Sequence, residues 1–207
     1  MSACESAPPR LRYGGGFRRR RYHEAMGAGH PQLDPTDVAG INERIQAWAA
    51  RGESIKSIDI DQVLVMDDAI EQLADLTRGL AGGGPVMAVM DHTAMVRGGQ
   101  DLKALVEEAL AGKVALSVRR LPDESQAPFH ADLETARRLA DELTGSTAVV
   151  AIGSGSVTDV VKYARHLLAE RSGRPPAMIS FPTAASVTAY TSALAVLTIN
   201  GIKAEAA

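Results

Sequence analysis

Fourteen residues, Val149 to Lys162, carry the chain's clearest chemical signal. The apolar run Val149-Val150-Ala151-Ile152 stops at Gly153-Ser154-Gly155-Ser156, and a helical pattern begins at once: Val157, Val160, Val161 and Ala164 fall at i, i+3, i+4 and i+7. Strand, tight glycine turn and helix N-terminus together suit an anion. Gly153 and Gly155 allow close backbone approach. The first N–H groups of the helix have no intrahelical partner, and the helix dipole favours negative charge there. Ser156 is the expected N-cap, with Asp159 at the acidic position of a capping box. The same residues also describe a capped strand-to-helix turn that holds nothing, so the turn alone leaves both readings open.

The elements that must position this turn follow from the hydrophobic pattern. Val38, Ile41, Ile45, Trp48 and Ala49 predict a first helix ending at Gly52, with Trp48 in the core. Ser57 to Met66 predicts one or two short strands. Ile70, Leu73, Ala74, Thr77 and Leu80 predict a second helix, stopped by Gly82-Gly83-Gly84. A regular alternation then sets in. Val86–Met90 is an apolar run ending in Asp91, and Leu102, Leu105, Val106 and Leu110 form a helix face closed by Gly112. Val114–Val118 is a strand, and Leu133, Ala136, Ala140 and Leu143 form a helix closed by Gly145. After the strand 149–152 and the helix 156–170, Gly173-Arg174-Pro175-Pro176 leads into the strand Met178–Phe181. Strands alternating with amphipathic helices predict an α/β fold with a parallel sheet and flanking helices. Ligands of such sheets gather at the C-terminal ends of the strands. Asp91, the 153–156 turn and Thr183 all fall at such ends, which weighs against an empty turn.

Composition sets the bounds. The chain has 207 residues, 45% of them hydrophobic, and a formal charge of −3. That supports one well-cored domain. Overall charge does not favour nucleic acid or an anionic membrane, and no apolar run approaches the roughly 20 residues that span a bilayer. The N-terminus lacks a signal-peptide core, and the single Cys4 forms no internal disulfide, in keeping with the cytoplasm. Residues 1–35, with Gly14-Gly15-Gly16 and Arg18-Arg19-Arg20-Arg21, hold no periodicity and are expected to be a disordered basic tail ahead of a domain over 36–207.

The motif differs from the common dinucleotide fingerprint, which places Gly-x-Gly-x-x-Gly after the first strand and an acid about 20 residues later. Here Thr158 stands at the third glycine, and the acid, Asp91, comes two strand–helix units earlier. A ribose-binding carboxylate on one strand and a pyrophosphate turn on another can still clasp one dinucleotide.

Gly153-Ser154-Gly155-Ser156-Val157-Thr158-Asp159-Val160-Val161-Lys162 resembles the cofactor loop of the iron-containing (group III) alcohol dehydrogenases. Pro182-Thr183-Ala184-Ala185-Ser186 and Tyr190-Thr191-Ser192-Ala193-Leu194 are similar to that family's next motif, in the form found in its sn-glycerol-1-phosphate dehydrogenase branch. The resemblance covers about residues 37 to 200. It implies an N-terminal dinucleotide domain of the dehydroquinate synthase-like type, with Asp91 on the adenosine ribose and Gly153, Ser154, Gly155 and Ser156 on the pyrophosphate. Asp159 and Lys162 would line the nicotinamide side, and Thr183, Ser192 and Leu194 would contact the rest of NAD or NADP. Complete relatives add a helical domain with a divalent metal (zinc, iron or nickel), which this chain is expected to lack, so no metal site is assigned among its residues. His23, His30, His92, His130 and His166 have no second ligand at useful spacing. Thr188 stands where the family carries an Asp beside the substrate. The implied function is the NAD(P)-binding part of a metal-dependent oxidoreductase acting on a small alcohol or polyol phosphate. A non-catalytic nucleotide-binding module and a dehydroquinate synthase-like lyase fragment are the alternatives. The apolar stretch Leu194–Ile199 is expected to leave a sheet edge open to self-association, so a homo-oligomer is compatible with the sequence.

Overall fold

The computed structural model describes residues 34–52, 57–123, 129–184 and 188–206. The expected disordered tail lies, but for its last two residues, outside them.

Helix α1 (Val38–Ala49) starts where the Asp37 carboxylate accepts the Gly40 N–H at 3.0 Å. Helix α2 (Ala69–Ala81) ends on Gly82, whose left-handed backbone stops it. The alternation follows: β1 (Pro85–Asp91), the two-residue strands β2 (Val96–Arg97) and β3 (Gln100–Asp101), α3 (Leu102–Ala111), β4 (Ala115–Leu121), α4 (Leu133–Glu142), β5 (Ala148–Gly153), α5 (Gly155–Ser172) and β6 (Ala177–Pro182). A 3₁₀ turn (Thr188–Tyr190) leads to β7 (Ala195–Ile199) and β8 (Ile202–Ala206).

The main sheet has the order β4-β1-β5-β6, with every pairing parallel. Both faces are covered, and the alternation of side chains along each strand divides the core in two. Met87, Val89, Val149 and Ala151 pack with α4 and α5. Val86, Ala88, Met90, Val150 and Ile152 pack with α2 and α3. All six residues of β5 are buried. Each fully buried Val or Ile contributes about 1.5–3 kcal/mol, so this strand anchors the domain. Among the described residues no helix is long and apolar enough to cross a membrane.

Four expectations fail. Trp48 is 42% exposed and α1 has no buried residue. Its stripe supplies an apolar face, but a face is buried only where another element packs on it. The contact that fixes α1 is polar: the Asn42 side chain accepts the Ile58 N–H at 2.7 Å and donates to the Ile58 carbonyl at 3.1 Å. Among the described residues from 57 to 66 there is no strand, and the Ile58 backbone pairs with that side chain instead of with a neighbouring strand. Leu80 is exposed at 47%, and Ala81 takes the buried place at the end of the α2 face. Leu194–Ile199 does not extend the main sheet either. Strand β7 pairs antiparallel with β8, and Ala195 and Leu197 are buried in the α4–α5 core.

Asp132 caps α4 twice over, accepting the Thr135 N–H at 2.8 Å and the Thr135 hydroxyl at 2.9 Å. Asp132→Ala should cost about 1–2 kcal/mol in urea denaturation with an unchanged slope; an unaltered midpoint would show that the cap does not hold this helix.

Candidate functional site

The register of the sheet brings the candidate residues onto one rim. Met90 is paired with Ile152, so Asp91 and Gly153 end neighbouring strands. Gly153 is itself paired with Pro182, so Thr183 follows on the next strand. The chain turns from β5 into α5 within one residue. Gly153 has φ +155°, and a Cβ on it would lie 2.9 Å from Val157 Cγ2. Glycine is required by this close approach of turn and helix.

The N-cap of α5 is Ser154, not Ser156, and its side chain makes no capping hydrogen bond. The helix starts two residues earlier than its apolar stripe suggests because Gly155 adopts the helical backbone, placing Ser156 in the first turn and removing the expected capping box. The Ser154 carbonyl accepts the Thr158 N–H at 3.2 Å. The first-turn N–H groups of an 18-residue helix therefore face the rim without a side-chain acceptor from their cap. Two further polar atoms are buried there with no hydrogen-bond partner, Asp159 Oδ1 and Thr183 Oγ1. Buried orphans of this kind are uncommon and call for a partner. A glycine cradle, an anion-seeking helix end and two unsatisfied oxygens fit a polar, phosphate-bearing ligand.

Asp91 is not a solvated strand-end acid. It is 4% exposed and forms a buried ion pair with Lys103, itself 4% exposed. Lys103 Nζ donates to the Asp91 carboxylate, to the Asp91 carbonyl at 2.6 Å and to the Thr93 carbonyl at 2.7 Å. The Thr93 N–H donates to the same carboxylate oxygen, Oδ1, at 3.2 Å. His92 Nε2 lies 3.0 Å from the Pro122 carbonyl, and Arg97 donates to the Asp67 carbonyl at 2.8 Å.

On the other side of the turn, Lys162 Nζ donates to the carbonyls of Ala189 (2.9 Å), Ser192 (3.0 Å) and Leu194 (2.5 Å). It also lies 3.1 Å from Asp159 Oδ1, an ion-pair distance. That oxygen nevertheless receives no hydrogen bond, because the three ammonium protons are directed at the three carbonyls. The Tyr190 hydroxyl donates to the Gly153 carbonyl at 3.2 Å, and the Thr183 N–H reaches the same carbonyl at 3.1 Å. Burial raises the Tyr190 pKa above its ordinary value, against the lowering effect of the Ala184 and Thr183 N–H groups, so the phenol stays protonated as a donor near neutral pH. Ser192 Oγ accepts the Leu194 N–H at 3.1 Å, and Leu194 is 39% exposed.

Sequence reasoning missed Lys103 and Tyr190. Lys103 stands at i to Val106 at i+3 and Leu110 at i+7, on the buried face of α3, and a lysine there needs a buried acid. Tyr190 lies inside a motif from which only Ser192 and Leu194 had been taken. Among the described residues no group of three or more His, Cys, Asp or Glu side chains converges to hold a metal.

Residues 64–206 match the profile of the iron-containing alcohol dehydrogenases. A glycerol-1-phosphate dehydrogenase [NAD(P)+] of Bacillus velezensis is 31% identical over 153 residues, covering 73% of this chain. The chain spans 36% of that relative's length. An iron-containing alcohol dehydrogenase from Thermococcus thioreducens superposes on 68% of the chain and 40% of its own length, with a TM-score of 0.52 at 17% identity. A sulfoacetaldehyde reductase from Bifidobacterium kashiwanohense, solved in complex with NAD+, covers 68% of the chain and 39% of its own length, with a TM-score of 0.51 at 23% identity. These two show that the α/β fold with its parallel sheet is shared.

Lys103→Met should destabilise the chain by about 3–5 kcal/mol, since it leaves a carboxylate buried without its counter-charge. The pair Asp91→Asn with Lys103→Met should recover much of that loss in the same denaturation series. An exposed pair would instead give a change of roughly 1 kcal/mol or less.

Proposed function

This chain belongs to the iron-containing alcohol dehydrogenase family, and we propose that it holds NAD or NADP across the C-terminal rim of its sheet, as the cofactor-binding part of an oxidoreductase. The substrate class we assign is a small alcohol or polyol phosphate, of the kind the Bacillus velezensis relative is named for.

One observation carries the reading: the Gly153–Gly155 turn, at the end of the most buried strand, aims the uncapped first turn of α5 at a rim that also holds two buried oxygens without a hydrogen bond, Thr183 Oγ1 and Asp159 Oδ1. In this reading the backbone of Gly153, Ser154, Gly155 and Ser156 binds the pyrophosphate, whose charge the helix dipole favours. Asp91, on the neighbouring strand, accepts from the adenosine ribose. Asp159 Oδ1, which receives no hydrogen bond, faces a donor on the nicotinamide side; Ser192 and Leu194 border that same side, and Thr183 borders the rest of the cofactor. The bound nicotinamide supplies or takes up the hydride; the chain's own residues bind and orient it. A bare carboxylate at Asp91 repels a 2′-phosphate. Lys103 offsets that charge, so NAD is preferred to NADP by a smaller margin than an unpaired acid would give. The described residues do not fit a divalent metal, and no step is assigned to one.

Replacing Gly155, which is buried at the first helical position, by Val sets a branched side chain where the pyrophosphate passes. Calorimetry with NADH should show saturable binding to the wild type and a loss of at least about tenfold, or 1.4 kcal/mol, in the Gly155→Val protein at unchanged far-UV circular dichroism. Equal affinity of the two folded proteins would refute the assignment of the turn.

A further inference from the structure

We propose that Lys162 is a positioning residue: it fixes residues 189–194, the nicotinamide side of the rim, and does not itself touch the cofactor. This deepens the reading above and rests on it for the identity of the ligand. An ammonium group has three protons and no acceptor. All three protons of Lys162 are directed at backbone carbonyls, those of Ala189, Ser192 and Leu194. The side chain is only 16% exposed. A fourth contact, 3.1 Å to Asp159 Oδ1, balances its charge within the protein. No proton remains for a ribose or a carboxamide.

The three carbonyls belong to a stretch that has little structure of its own. Between β6 and β7 the described chain forms one short 3₁₀ turn and no strand pairing, so its polar backbone groups must find partners elsewhere. Two side chains tie the segment to the glycine-turn unit. Lys162 reaches out from α5, two helical turns beyond Gly155, and the Tyr190 hydroxyl reaches back to the Gly153 carbonyl. The segment is thus tied at one point to the helix that starts at the pyrophosphate turn and at another to the strand that ends there. The two halves of a dinucleotide would be held by one rigid unit, and the distance between them would be set by the Lys162 side chain.

A purely scaffolding lysine and a positioning lysine differ in what they do to the two halves of the ligand. ADP-ribose carries the adenosine and pyrophosphate but lacks the nicotinamide, so it reports the glycine turn alone. The experiment compares NADH and ADP-ribose binding by calorimetry, together with amide hydrogen exchange of the ligand-free chain, for wild type, Lys162→Met and Tyr190→Phe. For Lys162→Met we expect NADH affinity to fall about tenfold, as fits the loss of charged hydrogen bonds, with ADP-ribose affinity held within about twofold. Exchange should quicken at 188–194 and stay unchanged in β5. Tyr190→Phe, which keeps the ring and so protects against misfolding, should shift both readouts the same way by less. Equal losses for both ligands, or unchanged exchange at 188–194 in both variants, would overturn the proposal. If the wild type bound neither nucleotide, the cofactor reading itself would fall, and exchange at 188–194 would still decide whether Lys162 holds the segment.

Discussion

Strand β5 has no solvent-facing side: Ala148 to Ile152 are completely buried, flanked by β1 and β6 and covered by helices on both faces. A strand in that position can be approached only at its ends, so the chain must leave it sharply. Gly153 and the immediate start of α5 are the consequence. The turn is so tight that even a methyl group on Gly153 would meet Val157, and the helix begins before any side chain can cap it. The anion-seeking character of the rim is therefore a by-product of how deeply the central strand is buried, and no basic side chain needs to create it.

The same tightness explains where the charged residues have gone. Asp91 and Asp159 flank the turn, each with a lysine beside it, and both lysines are used chiefly to hold backbone. Lys103 binds two carbonyls and a carboxylate oxygen, and Lys162 binds three carbonyls. A rim that bristled with free cations would bind any phosphate. Here the positive potential comes from helix N–H groups of fixed direction, which favours a phosphate placed at one spot. Asp159 Oδ1 and Thr183 Oγ1 are buried without a hydrogen bond, a cost that a ligand donating to the first and bonding the second would relieve.

Much of this was legible in the sequence, for identifiable reasons. The alternation from Val86 to Phe181 has a clean switch between strand runs and helical stripes, each closed by glycine, and the parallel sheet follows from it. The rim residues were legible because ligands of such sheets sit at strand ends. What failed depended on partners that periodicity does not encode. Trp48 lies at the exposed end of a helical stripe whose Val38, Ile41 and Ile45 are only half-buried, and Ile58 alternates like a strand but meets Asn42. The cap of α5 moved from Ser156 to Ser154 because Gly155 tolerates helical geometry that its apolar pattern does not announce. Nothing in the pattern of α3 marks Lys103 as buried, since whether a lysine is solvated or buried depends on which acceptors the fold brings to it. The family resemblance assigned the turn residues and Lys162 to the cofactor; the three carbonyl bonds of Lys162 are what the pattern could not foresee.

The most direct test of the central claim is a crystal structure of the chain with NAD+ bound. The account predicts the pyrophosphate oxygens within hydrogen-bonding distance of the first-turn N–H groups of α5, with the adenosine ribose toward Asp91 and the nicotinamide toward Asp159. A dinucleotide seated at the opposite end of the sheet, or one whose pyrophosphate lies away from residues 153–156, would contradict it.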